Sequence, residues 1–110
     1  MKGGDFIMEL LPKELEKLFP PLYATEGKDP KDIKIIAKFF APWTNWTWYA
    51  IEYDPQKKIF FGYVRGIENE LGYFSLEELQ SIKGPFGLKI ERDIYFGFNH
   101  TLAEVMEKQI

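Results

Sequence analysis

The sequence contains no cysteine, a single histidine and no long apolar run. Without cysteine there are no disulfides, thiolate metal sites or cysteine nucleophiles. One histidine, His100, without cysteine partners excludes most zinc centres, which need several nitrogen or sulfur ligands. No stretch approaches the ~20 apolar residues of a membrane-crossing helix, and residues 1–11 lack the apolar stretch of a secretory signal. Positive charge is also short: 14 Lys and Arg stand against 17 Asp and Glu, a net charge of -3. That balance lacks the basic excess of a nucleic-acid binder. No phosphate-cradling glycine-rich loop precedes a helix. Asn45-Trp46-Thr47 and Asn99-His100-Thr101 match the glycosylation pattern, but without a secretory signal both read as chance. The expectation is a cytoplasmic protein with no membrane segment and no cofactor.

What is present is aromatic. Ten Phe, six Tyr and three Trp make up 17% of 110 residues, and 45% of the chain is hydrophobic. A chain of this size suits one domain with its own core, and aromatics favour pleated sheets. Residues 1–8 read as a flexible lead, with Met8 a candidate natural start; residues 9–110 read as a single α+β domain. Pro12 opens a short helix with Leu15 and Leu18 on its apolar side. Strands are expected over Ile33–Phe40, Trp46–Tyr53, Ile59–Arg65 and Leu71–Phe74, and Gly87–Phe98 reads as extended. In the first strand, Ile33, Ile35, Ala37 and Phe39 share one face. Ser75 with Glu78, and Thr101 with Glu104, form capping boxes that start two helices. Strands joined by short turns lie antiparallel. The fold class is therefore α+β: an antiparallel β-meander of about four to five strands flanked by short helices.

The hairpin between the second and third strands carries a register. With Asp54 through Lys58 all in the loop, Tyr53 faces Ile59, Ile51 faces Phe61 and Tyr49 faces Tyr63. On the other side Trp48 pairs with Val64, Ala50 with Gly62 and Glu52 with Phe60. The Tyr49, Ile51 and Tyr53 face is the more apolar and should meet the main core. Trp46, Trp48 and Glu52 then share the second face. If that face is open, Ala50 and Gly62 leave a dip between indole and carboxylate that suits a small ligand. If it is covered, Glu52 needs a cation such as Arg92.

Two groups of residues could carry function. Trp43, Trp46 and Trp48 lie in a short span, and an exposed aromatic patch would mark a recognition surface. The competing reading, and the favoured one, is a tryptophan-rich core beneath the flanking helices. The second group is acidic. Glu26, Glu52, Asp54 and Glu91, the last beside Arg92, could perform acid–base chemistry or hold a hard metal ion. Against this, Glu52 and Asp54 can simply point to solvent near a turn, and Arg92 can pair with an acid structurally. Glu68, Glu70, Glu77 and Glu78 form a further acidic stretch that reads as a solvated face.

Several strings in combination are recognisable: Leu22-Tyr23-Ala24-Thr25-Glu26-Gly27, Asn45-Trp46-Thr47-Trp48-Tyr49-Ala50, Glu70-Leu71-Gly72-Tyr73-Phe74-Ser75-Leu76, Gly84-Pro85-Phe86-Gly87-Leu88 and Ile90-Glu91-Arg92-Asp93. They resemble a family of small bacterial proteins classed only as a domain of unknown function and associated with plasmids and integrative elements. The likeness runs from about Leu10 to Phe96. It implies no activity and no functional residues; it implies service to a mobile element. The leading expectation is a non-catalytic interaction module with a protein partner. The alternatives are a small enzyme using the carboxylates with a divalent metal, and single-stranded nucleic-acid binding through the aromatics, which the acidic charge disfavours.

Overall fold

The alternating apolar segments pair into one five-stranded antiparallel sheet in the computed structural model, which describes residues 8–110. Strands β1 (Ala37–Phe40), β2 (Thr47–Asp54), β3 (Ile59–Arg65), β4 (Asn69–Ser75) and β5 (Glu91–Arg92) lie in the order β4-β3-β2-β1-β5. Helices α1 (Lys13–Glu16), α2 (Leu76–Ser81) and α3 (Leu102–Glu107) flank the sheet. This is the expected α+β meander, with β5 closing the edge beside β1. The flexible lead falls almost wholly on residues 1–7, outside the described residues. Met8 packs against the core, and its Sδ accepts the Arg92 N–H at 3.1 Å.

Capping explains where the longer helices start. Ser75 Oγ accepts the Glu78 N–H at 2.9 Å, and Thr101 Oγ1 accepts that of Glu104 at 3.2 Å. Each satisfies a donor that the first helical turn leaves unpaired. α1 follows Pro12, and its apolar side is only half realised, since Leu15 is buried while Leu18 is exposed.

The sheet buries both faces. On one, Phe39, Trp48, Ala50, Tyr53, Phe60 and Phe74 pack with Leu10, Leu11 and Leu15 from the α1 side and Leu79 from α2. On the other, Tyr49, Ile51 and Tyr63 pack with Ile33, Ile35, Phe96 and the α3 residues Leu102 and Val105. The larger core lies on the Trp48 face, not on the Tyr49 face as the pattern suggested.

Three departures have one kind of cause, a local break in alternation. Ile33 and Ile35 do not share a face with Ala37 and Phe39. Ile33 and Ile35 bond to the segment before α3, through Leu102 N–H to the Ile33 carbonyl at 2.8 Å and Ile35 N–H to the His100 carbonyl at 2.9 Å. At Ile36 the chain changes partner and bonds the Ala50 carbonyl, and the alternation shifts with it. The Gly87–Phe98 stretch is mostly irregular. Positive φ at Gly87 and Gly97, and a turn in which Asp93 accepts the Tyr95 N–H, leave Glu91–Arg92 as its strand, with an isolated bridge from Lys89 to Lys83.

The third departure matters most. Tyr49–Tyr63, Trp48–Val64 and Ala50–Gly62 pair as expected, but a bulge between Ala50 and Glu52 then sets Glu52 opposite Phe61, Tyr53 opposite Phe60 and Asp54 opposite Ile59. The loop is Pro55–Lys58, shorter than expected. Asp54 stays in the strand and folds the loop by accepting the Gln56 N–H at 2.9 Å and the Lys57 N–H at 3.3 Å. A shorter loop alone would reverse the pairing parity; the extra residue in the bulge restores it further along. Tyr53 thereby joins the Trp48 face, and Glu52 leaves it. The dip foreseen beside Ala50 is also absent: Ala50 is fully buried, and a Cβ on Gly62 would lie 2.0 Å from the Tyr49 carbonyl oxygen.

Candidate functional site

The turn joining β1 to β2 places the tryptophans. Ala41 donates its N–H to the Trp46 carbonyl at 3.1 Å and accepts the Thr44 N–H at 3.0 Å. Thr44 Oγ1 accepts the Trp46 N–H at 3.0 Å. These bonds hold Trp43 in the turn and Trp46 at the mouth of β2, with Trp48 inside the strand. Two of the indoles, Trp43 and Trp46, rest on glycine backbone. A Cβ on Gly84 would fall 2.4 Å from the Trp43 ring, and one on Gly66 the same distance from the Trp46 ring. The Trp46 and Trp48 rings lie 5.7 Å apart.

All three indoles line one open groove of about 880 Å³, bounded by α2 on one side and by β3 and β4 on the other. The two readings of the tryptophans both apply in part. Trp48 is buried at 7% exposure, Trp43 is half-buried, and Trp46 is exposed at 37%. The rim is acidic. Glu68, Glu70 and Glu78 line the groove, all exposed, with Lys83 the cation among the lining residues. On β4, Glu70, Gly72 and Phe74 sit opposite Val64, Gly62 and Phe60, on the Trp48 face. A Cβ on Gly72 would meet nothing within 4 Å.

Glu52 belongs to the opposite face. It is 2% exposed and has no cation partner among the described residues. Its carboxylate accepts the Tyr23 N–H at 2.8 Å, the Thr25 N–H at 2.8 Å and the Thr25 hydroxyl at 2.5 Å. Three donors replace the water a buried carboxylate loses. Glu26 lines the same small cleft as Glu52, beside Tyr23 and Tyr73. The Tyr73 phenol is held above its usual range by partial burial first, then by the adjacent Tyr23 phenol and the Glu52 and Glu26 carboxylates.

The other acidic candidates lie elsewhere. Asp54 is occupied in the hairpin loop, and Glu91 pairs opposite Phe40 at the β5 edge. Among the described residues no three His, Asp or Glu side chains converge to hold a metal ion. Among the described residues Arg92 pairs neither with Glu52 nor with another acid. Its guanidinium donates to the Glu9 and Leu10 carbonyls at 2.5 and 3.0 Å, tying the N-terminal segment to β5.

A family model described as "Protein of unknown function (DUF2958)" matches residues 10–109. The chain belongs to this family. No curated protein and no solved structure matches it. The family description names no activity, so the site of this member rests on its own geometry. No described helix is long and apolar enough to cross a membrane.

Sequence reasoning found the tryptophans but treated Glu68, Glu70 and Glu78 as a separate solvated face. It also passed over Gly72. The available signal was parity: Glu70, Gly72 and Phe74 alternate onto one side of a strand. That signal points nowhere until the register with β3 is known.

Proposed function

We propose that this DUF2958 member is a non-catalytic binding module whose recognition site is the groove holding Trp43, Trp46 and Trp48. The observation that carries this reading is the groove itself: three indoles lining one open cleft of about 880 Å³. Binding sites of this kind are mostly apolar, with few convergent polar groups. Enzymatic use of the acids finds no support, since Glu26 and Glu52 lie across the sheet from the groove and Asp54 and Glu91 lie apart from both. The acidic rim opposes phosphate and so disfavours nucleic acid. Service to a bacterial mobile element, in the cytoplasm, is the setting we propose; the family resemblance and the absence of cysteine support it, and adjacent transfer or replication genes would test it.

The test is a fragment titration of isotope-labelled protein read on the three indole N–H signals. Fragments that bind here should shift all three together, and Gly72→Leu, which fills the groove from β4, should abolish the shifts. A library that never moves these signals as a group, or that moves them equally in Gly72→Leu, overturns the reading.

A further inference from the structure

The groove is continuous with a free sheet edge. β4 is the last strand of the sheet and pairs only with β3 among the described residues. It runs for 7 residues, Asn-Glu-Leu-Gly-Tyr-Phe-Ser, in unbroken register with β3. Exposed edges are normally blunted by lysine, proline, a bulge or a covering segment. β4 has no lysine, proline or bulge, and its outer residues Leu71 and Tyr73 are 44% and 57% exposed. The charge it carries is Glu70, which faces the groove.

Resting on the groove reading above, we infer that the occupant is an extended basic segment of a partner protein, added as a strand along β4 with its cationic side chains in the tryptophan groove. Strand geometry sets the pattern. Side chains of an added strand alternate, so every second residue drops toward the groove, about 6.6 Å apart. Those residues meet Glu70 on the strand, Glu68 before it and Glu78 on α2, over the Trp46 and Trp48 rings. A Lys or Arg side chain fits such a place by charge and by cation–π contact with indole. Gly72 leaves the space through which the side chain enters. A second copy of this chain offers no such cation along its own β4, which carries no lysine or arginine. Main-chain pairing supplies affinity and the groove supplies the choice of side chain.

The experiment measures binding of fluorescent octapeptides to the full chain. The probes are an alternating lysine–valine peptide, its glutamate–valine counterpart and a lysine–valine peptide N-methylated on alternate amides. The lysine–valine peptide should bind and lose affinity as salt is raised. The glutamate peptide should bind at least about tenfold more weakly. N-methylation, which removes strand hydrogen bonds, should also cost about tenfold. Glu70→Gln and Glu78→Gln should each weaken binding roughly threefold, and Glu70→Lys should shift preference toward the glutamate peptide. Gly72→Leu should remove binding while keeping its melting temperature. No binding by the lysine peptide, equal binding by the glutamate or N-methylated peptide, or indifference to both Gly72→Leu and Glu70→Lys overturns the inference. If the peptides fail while small fragments still move the indole signals, this inference falls and the groove reading stands.

Discussion

Glu52 holds Thr25 twice, accepting its N–H at 2.8 Å and its hydroxyl at 2.5 Å, across 27 positions of sequence. One buried carboxylate thus fastens the loop before β1 to the bulge in β2. Removing it leaves the Tyr23 and Thr25 donors without their partner. Glu52→Ala should lower stability by about 2–4 kcal/mol, a fall in melting temperature of roughly 10 °C or more for a domain this size. Thermal denaturation followed by circular dichroism checks it. A loss that large makes Glu52 a structural anchor; a change within experimental error would return this face to consideration as a ligand site.

The bulge makes a second prediction at Gly62. Any side chain there meets the Tyr49 carbonyl oxygen, with Cβ 2.0 Å away, and backbone atoms cannot swing aside as a side-chain tip can. Gly62→Ala should cost about 2 kcal/mol or more, or open the β2–β3 pairing locally. Amide exchange of Ala50 and Ile51 separates the two results. Gly72→Ala, at the next strand, should be neutral or slightly stabilising, because its Cβ would enter open space. Equal losses at the two glycines would contradict the register.

The tryptophans should divide by burial. Trp48→Ala removes a side chain that is 7% exposed within the larger core and should cost about 3–5 kcal/mol. Trp46→Ala, at 37% exposure, should cost under about 1 kcal/mol. Urea unfolding of both variants measures the difference. Trp46 is then the substitution of choice for probing binding without disturbing the fold.

The α3 terminus carries a pH dependence. His100 Nδ1 lies 2.9 Å from a Glu104 carboxylate oxygen, and this hydrogen bond holds the Glu104 carboxyl below its ordinary value of 4.5. A carboxyl whose pKa is lower in the folded than in the unfolded state stabilises above the unfolded value. That contribution disappears as pH falls through the folded value. Wild type should therefore melt slightly higher than Glu104→Gln above pH 4.5, by no more than about 2 °C, and the gap should close in more acidic buffer. A gap that widens on acidification would contradict the assignment.

The sequence by itself determined β2, β3 and β4, the caps of α2 and α3, and the fold class. Those depend on signals within a few residues: alternation in Ile59–Arg65, the hydroxyls of Ser75 and Thr101, the breaks at Pro42 and Gly84. It also located the tryptophans. The positions of Glu52 and Tyr53 were not legible, because a single extra residue in β2 exchanges faces for everything beyond it, and the bulge depends on how closely the Tyr49 carbonyl approaches β3. The same limit hid the groove. Trp43, Trp46 and Trp48 stand some 20 or more positions before Glu68, Glu70 and Glu78, and nothing local links them. Only the pairing of β4 with β3 and the packing of Leu79 beneath α2 bring the acids around the indoles. Periodicity is a property of neighbours along the chain, whereas a site is a property of neighbours in space, and here those are set by strand register and by contacts across the sheet.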